Sequence, residues 1–261
     1  MHPILFETPW FNVYSFGFMV ALGYTAAIAI ASYTAKKNGL SAGNIFDMML
    51  FQLVVGILGC RLLFTLEYTP QRLNFSDFFS FEQGGMTFYG SVIAGFAFDL
   101  LYLKFMKMPF WKSMDCIGLS MGPGMAIARV GCFLNGCCFG TPCSEAIGFK
   151  FRFAGEGYYH ATQLYESFLC LVAFAIVWQI KKRQNHHGEL FLGYISIYGF
   201  FRFLLEFIRA ENPIFMFGIT LSQVIGLASI VLSLVIWMFI KKDKSLQIMP
   251  STEEQSLEGK K

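Results

Sequence analysis

The sequence predicts an all-α integral membrane protein of seven transmembrane helices, with the N-terminus outside, the C-terminus cytoplasmic and a small extracytoplasmic cap. Three observations carry this expectation. Of 261 residues, 55% are hydrophobic and 14% charged, well below the roughly 25% charged residues of an average soluble chain. The 31 Phe and 25 Gly suit helices that face lipid and pack through small residues. The apolar residues also gather into seven runs, each near the ~20 residues needed to cross the hydrocarbon.

The runs are Val13–Tyr33, Ile45–Leu66, Met86–Met106, Cys116–Leu134, Gln163–Ile180, Leu190–Ile208 and Ile219–Ile240. The first has no basic residue before it, since the earliest is Lys36. It therefore lacks the basic start of a cleaved signal peptide and reads as a mature span. The second and third are joined by Glu67–Gly85, with Pro70, Asn74 and several aromatic residues. The fourth is interrupted by Gly118, Gly122, Pro123, Gly124 and Gly131. It is followed by Asn135–His160, long enough and rich enough in Gly and Pro to form a cap over residues 135–160. None of the runs shows the sustained alternation of a barrel strand. Residues 1–244 thus form one membrane domain, and 245–261 a polar, disordered cytoplasmic tail. There is no internal repeat of the transporter type.

Basic residues set the orientation. Lys36 and Lys37, then Lys104, Lys107 and Lys112, then Lys181, Lys182 and Arg183, fall in alternate connections, and Lys241, Lys242 and Lys244 share their side. The positive-inside rule places these in the cytoplasm.

Charge at membrane depth is expensive and points to function. Arg61, Arg129, Arg202 and Glu206 qualify. Tyr198, Arg202, Glu206 and Arg209 recur at spacings of four, four and three, which aligns them on one helical face. That stripe is either a structural Arg202–Glu206 ion pair or a site for an anionic lipid headgroup, whose phosphate oxygens suit the guanidinium fork. Arg129 precedes Gly131, Cys132, Asn135, Gly136, Cys137, Cys138 and Gly140 where the fourth span leaves the membrane. Glycines allow close backbone approach and Asn135 both donates and accepts, so a site is favoured over a hinge. Gly84–Gly90 offers backbone N–H groups at the start of the third span. His160–Glu166 opens the fifth, with Thr162 suited to cap it and Glu166 suited to the helix dipole. All three motifs converge on the outer face.

Cys60, Cys116 and Cys170 read as small apolar residues within spans. Cys132, Cys137, Cys138 and Cys143 have the spacing C-x4-C-C-x4-C, which is no standard zinc pattern, so no metal ligands are assigned. A disulfide involving Cys143 is one reading of this outward cluster. A reactive thiolate beside Arg129 is another, with Cys137 left open.

These motifs together resemble the prolipoprotein diacylglyceryl transferase family, from about Tyr14 to Leu227. Gly84–Gly90 (GGMTFYG) is similar to the family's GGMSFHGG, and Arg129–Gly140 (RVGCFLNGCCFG) to R-x-G-N-F-x-N-G-E-x-x-G. His160–Glu166 (HATQLYE) is similar to HPSQLYE, and Tyr198–Arg209 to YGxxRFxxExxR, with Thr220–Gln223 at the last polar motif. Against the family pattern, Tyr89 replaces histidine, Cys132 asparagine, Cys137 glutamate, and Phe16 an early tyrosine.

The resemblance implies an enzyme of the bacterial cytoplasmic membrane acting in lipoprotein biosynthesis. It would move the diacylglyceryl group of phosphatidylglycerol to the lipobox cysteine of a prelipoprotein and release glycerol-1-phosphate. Its partners would be phosphatidylglycerol, prelipoprotein signal peptides and the bilayer, with no nucleic acid and no cofactor. Arg129, Arg202, Tyr89 and Cys137 are the expected catalytic positions. Asn135, Gly140, Tyr198, Glu206 and Arg209, with Arg129, are expected to hold the phospholipid. Tyrosine, with a pKa of about 10, suits a donor to phosphate better than a base; His160, Glu206 and Cys137 remain as proton acceptors. The rival readings are a relative with another acceptor, a membrane thiol oxidoreductase, and a non-catalytic lipid-binding membrane protein.

Overall fold

The computed structural model describes residues 2–7, 12–68, 88–210, 214–216 and 218–248. The greater part of the Glu67–Gly85 connection, residues 84–87 of the GGMTFYG motif and the tail from 249 lie outside the described residues.

The described residues hold seven α-helices: α1 (Ser15–Lys37), α2 (Ala42–Tyr68), α3 (Phe88–Phe105), α4 (Phe110–Asn135), α5 (Thr162–Lys181), α6 (Glu189–Leu205) and α7 (Leu221–Lys242). Each falls on one of the seven expected runs. Five of them, α1, α2, α4, α5 and α7, are long and apolar enough to cross a membrane. At 17 residues, α6 rises only about 26 Å, short of the ~30 Å hydrocarbon core. Its predicted end at Ile208 is moved back, because Glu206–Ile208 form a turn.

Strands occur outside the helices, which the sequence reading did not anticipate. β1 (Ile4–Glu7) pairs antiparallel with β2 (Asn12–Tyr14), so Val13 and Tyr14 precede the first helix rather than open it. β3 (Pro142–Cys143) pairs with β4 (Tyr158–Tyr159), and β5 (Ile214–Met216) with β6 (Ile219–Thr220).

Large apolar side chains lie at the surface while several charged ones are withdrawn from it. Phe105 is 80% exposed, Phe239 68%, and Ile93 and Phe207 66%, whereas Arg61, Asp99, Asp115, Glu166 and Glu206 are buried. A hydrocarbon solvent tolerates the first and selects the second.

The chain divides into two compact units, residues 31–113 and residues 1–30 with 114–261. In the first, α2 and α3 pack through small residues. A Cβ at Gly59 would lie 2.5 Å from Gly90 O and Ala94 Cβ, and one at Gly56 2.7 Å from Ser91 Oγ. The buried Asp99 accepts from Gln52 Nε2 at 2.7 Å. Arg61 lies buried here, its guanidinium 5.8 Å from the Phe64 ring centroid.

The second unit is organised by α4. Its glycines do not interrupt it: the helix is continuous for 26 residues with Pro123 inside. They are contact points instead. A Cβ at Gly124 would meet Ala27 Cβ at 3.0 Å, one at Gly122 Phe174 Cβ at 2.7 Å, one at Gly118 Phe191 Cα at 2.6 Å, and one at Gly131 Met19 Cβ at 2.7 Å. α4 thereby holds α1, α5 and α6 at backbone distance. Beside it Leu119, Ala173, Val177, Leu190 and Tyr194 form a buried apolar core. The Asp115 carboxylate of α4 accepts from the N–H groups of Gly188 (2.7 Å), Leu190 (3.0 Å) and Phe191 (3.1 Å) and from Gln184 Nε2 (2.7 Å). It thus satisfies the orphan donors at the start of α6 from another helix. α7 starts in a capping box, Thr220 Oγ1 accepting from Gln223 N while Gln223 Oε1 accepts from Thr220 N.

After α4, the segment expected to form a cap folds around aromatic rings. Phe133 at the end of α4 meets Phe149 (5.3 Å) and Phe151 (6.1 Å), and Phe139 meets Phe151 (5.2 Å) and Tyr159 (5.4 Å). Residues 244–248, where the tail begins, are held by a 3-10 turn over Lys244–Leu246 and by Ile248 N donating to Asn185 O at 2.8 Å.

Candidate active site

Three arginines and a tyrosine of the second unit meet at one carboxylate. Glu166 sits in the second turn of α5 with its side chain 2% exposed. Its Oε1 pairs with Arg129 Nη2 of α4 at 2.8 Å and accepts from the Tyr198 hydroxyl of α6 at 2.8 Å. Its Oε2 faces Arg202 Nη1 and Arg209 Nη1, each at 3.8 Å. Arg202 also pairs with Glu206 Oε2 through Nη2 at 3.2 Å and donates to Ser222 Oγ at 3.4 Å, and Glu206 Oε1 accepts from Thr220 Oγ1 at 2.7 Å. Among the described residues, three arginines against two glutamates leave one formal positive charge in this buried cluster. Arg129 Nε is buried with no hydrogen-bond partner among the described residues.

Local sequence explains the assembly. Arg129 lies two residues before Gly131, whose missing Cβ lets α4 approach Met19 of α1. Tyr198 and Arg202 are one turn apart on α6, so both reach Glu166 from the same side. Arg209 lies beyond the helix and is positioned by the bridge its backbone makes with Gly140. Gly140 is buried in that bridge, its N–H donating to His160 O at 2.8 Å while Thr141 N donates to Ile208 O at 2.7 Å. A Cβ there would fall 2.6 Å from Ile208 O and 2.7 Å from Thr162 Cγ2. Glycine is required for the close approach of three segments.

The cysteine loop is pinned beside this cluster. α4 ends at the half-buried Asn135, and Gly136 turns the chain at φ 83°. Cys137 O accepts from Gln163 Nε2 at 2.5 Å, and Cys138 O from Thr162 Oγ1 at 2.7 Å. Thr162 therefore does not cap α5 as expected; Ala161 occupies the N-cap position without a side-chain bond, and the threonine hydroxyl anchors the loop instead. No disulfide forms among the described residues, Cys143 included. The sulfurs of Cys132, Cys137 and Cys138 lie within 4.8 Å of one another, and Arg129 Nη1 is 4.0 Å from Cys132 Sγ.

Of the residues expected at the site, Arg129, Tyr198, Arg202, Glu206 and Arg209 converge, and Asn135, Cys137 and Gly140 line the adjoining loop. Tyr89 belongs to the other unit, where it is half-buried at the second residue of α3. Glu166, the residue that joins three arginines, was assigned only a helix-dipole role. The signal that could have raised it was the excess of arginine over carboxylate in the spans.

Comparison with known proteins gives a consistent result. The family model described as prolipoprotein diacylglyceryl transferase matches residues 3–239. The phosphatidylglycerol–prolipoprotein diacylglyceryl transferase of Clostridium tetani (strain Massachusetts / E88) is 32% identical over 242 residues, covering 91% of this chain and 97% of the relative. The enzyme of the same name from Clostridium botulinum (strain Langeland) is 30% identical over 253 residues, covering 94% and 99%. That of Clostridium kluyveri (strain ATCC 8527) is 29% identical over 250 residues, covering 92% and 97%.

Proposed function

The chain belongs to the prolipoprotein diacylglyceryl transferase family, and from that premise we propose that it moves the diacylglyceryl group of phosphatidylglycerol onto the lipobox cysteine of a prelipoprotein. The observation that carries the reading is the buried cluster around Glu166, with its one excess positive charge and the unpartnered Nε of Arg129. Such a cluster favours a single phosphate monoanion in a dry setting, where a guanidinium is already fixed and oriented.

In the proposed reaction the acceptor sulfur attacks the glyceryl carbon bonded to the phosphate ester oxygen. The S–C bond forms as the C–O bond breaks, and the electron pair leaves on the phosphate oxygen as glycerol-1-phosphate. Arg129 and Arg202 stabilise the charge that gathers on the leaving group. Glu166 holds the two guanidiniums in place, helped at Arg202 by Glu206, and Asn135, Gly140, Tyr198, Glu206 and Arg209 are assigned to binding the phospholipid with Arg129. Cys137 belongs to the handling of the thiol.

All seven helices are assigned to the membrane, α3 and α6 as the short spans, with the N-terminus outside and residues 135–160 forming the outer cap. Lys36, Lys37, Lys181, Lys182, Lys241 and Lys242 at the ends of α1, α5 and α7 support that orientation. The membrane is the bacterial cytoplasmic membrane.

The test is transfer of labelled diacylglycerol from phosphatidylglycerol to a lipobox peptide, comparing the wild type with Arg129→Ala. Transfer by the wild type, reduced at least a hundredfold in the variant, is expected from the loss of one fixed donor to the developing charge, worth roughly 10²–10³. A variant as active as the wild type overturns the assignment of Arg129. A wild type that transfers nothing beside an active relative favours another acceptor.

A second reading, a membrane thiol oxidoreductase, draws on the 3.5 Å between the sulfurs of Cys137 and Cys138. It gives the Glu166 cluster no role.

A further inference from the structure

We propose that Cys132, Cys137 and Cys138 form a three-thiolate site for one thiophilic d10 cation, Zn2+ or Cu+, whose open position takes the acceptor thiol. The second half of this inference rests on the transferase reading; the first does not.

The sulfurs are already gathered. Cys137 Sγ and Cys138 Sγ are 3.5 Å apart, and all three lie within 4.8 Å of one another. A tetrahedral ion with metal–sulfur bonds of about 2.3 Å holds its sulfurs about 3.8 Å apart, so closure needs only a few tenths of an ångström at each side chain. Sulfur donors select soft d10 ions over Mg2+ or Ca2+. Three protein ligands with one vacancy is the pattern of a reactive zinc site, and four is that of a structural one.

The surroundings serve the ion rather than chance packing. Cys138 takes φ 66°, a left-handed conformation that residues other than glycine rarely adopt. The carbonyls of Cys137 and Cys138 are tied to Gln163 and Thr162, which fixes the loop as outer-shell hydrogen bonds fix metal ligands. Cys132 is buried while Cys137 and Cys138 are half-buried, so the cluster opens on one side. Charge also agrees. Three thiolates on Zn2+ carry −1, and Arg129, 4.0 Å from Cys132 Sγ, belongs to a cluster with one excess positive charge.

Such a site answers a chemical need. A thiol at neutral pH is mostly protonated and a poor nucleophile, and a bound cation would supply its deprotonation without a protein base. A cation deprotonates a thiol that ligates it. Binding of R–SH at the open position releases one proton to solvent and leaves a metal-bound thiolate. Attack then forms the S–C bond, the phosphate departs with the C–O electron pair, and the thioether product, uncharged and a weak ligand, dissociates.

The experiment uses the full-length protein, reduced and anaerobic in detergent, titrated with Cd2+, Zn2+ and Co2+. One equivalent of Cd2+ should give near-ultraviolet sulfur-to-metal charge-transfer absorption. Cys132→Ser, Cys137→Ser and Cys138→Ser should each weaken binding more than ~10–100-fold, the effect of losing even an outer-shell partner, while Cys143→Ser should not. Helical circular dichroism matching the wild type keeps a misfolded variant from counting as support. A lipobox peptide should then raise the Co2+ absorption by the increment of a fourth thiolate, and its Cys→Ser counterpart should leave it unchanged. Absence of one-to-one Cd2+ binding, or binding indifferent to the three substitutions, overturns the site. Binding without the peptide-dependent change overturns its role toward the acceptor. A protein that transfers lipid without binding metal sinks this inference and leaves the transferase reading standing; one that binds metal and transfers nothing does the reverse.

Discussion

Replacing Glu166 by glutamine tests whether the arginine cluster is held by charge or by shape. The amide keeps the volume and one acceptor but removes the carboxylate that Arg129 meets at 2.8 Å and that Arg202 and Arg209 face at 3.8 Å. At an effective dielectric of ~20 those contacts amount to about 6 kcal/mol for the first and about 4 for each of the others. Desolvation of the charges and repulsion among the guanidiniums offset most of this. Removing one partner of a buried pair leaves the others uncompensated, and the net loss is typically about 3–5 kcal/mol. For a chain of this length that is a fall in Tm of roughly 6–20 °C. The assay is thermal unfolding in detergent, with and without phosphatidylglycerol. The variant should lose several degrees without lipid and regain more than the wild type when the anionic headgroup is added, because phosphate then supplies the missing negative charge. A variant within about 2 °C of the wild type in both conditions would refute the reasoning, since Glu166 would then carry no net electrostatic work.

Asp115→Ala removes the acceptor shared by Gly188, Leu190, Phe191 and Gln184, and should cost about 2–3 kcal/mol through uncapped buried N–H groups; an unchanged Tm would show that water serves them equally well. Gly140→Ala drives a methyl group into Ile208 O and Thr162, so transfer should fall at least tenfold while Tm drops only modestly. Full activity in that variant would mean the bridge to Arg209 is not needed. Gly124→Leu forces a side chain against Ala27, whose Cβ a Cβ at 124 would already meet at 3.0 Å, and should lower Tm by several degrees through overpacking of about 1–3 kcal/mol; an unchanged Tm would show that α1 can move aside freely.

Much of the fold could be read because lipid imposes a simple rule, a long apolar run for each helix, and the seven helices lie on the seven runs. The interruptions in α4 were harder to read. Gly118, Gly122, Gly124 and Gly131 look like breaks in a sequence, and only the neighbours they admit show that they are contacts. At the site, Arg129 stood out through the cost of charge in the membrane, and Tyr198 with Arg202 through helical spacing. Glu166 and Asp115 did not, because their partners come from other helices and no local spacing records a tertiary contact. Thr162 was misassigned for the same reason: a hydroxyl at a helix start has a local use, but here it reaches Cys138 O, 24 residues away in sequence.

The glycine faces of α4 bear on how the second unit can move. Where two helices interlock through large side chains, sliding one along the other means lifting each residue over its neighbour. Where backbone lies on backbone, as at Gly23 and Gly124, the surfaces are smooth and close. Pulling such helices apart forfeits many dispersion contacts at once, while a shift along the seam keeps most of them. α4 therefore holds α1, α5 and α6 firmly against outward displacement, and polar bonds fix two of them along the seam as well: Asp115 to the N–H groups at the start of α6, and Arg129 to Glu166 of α5.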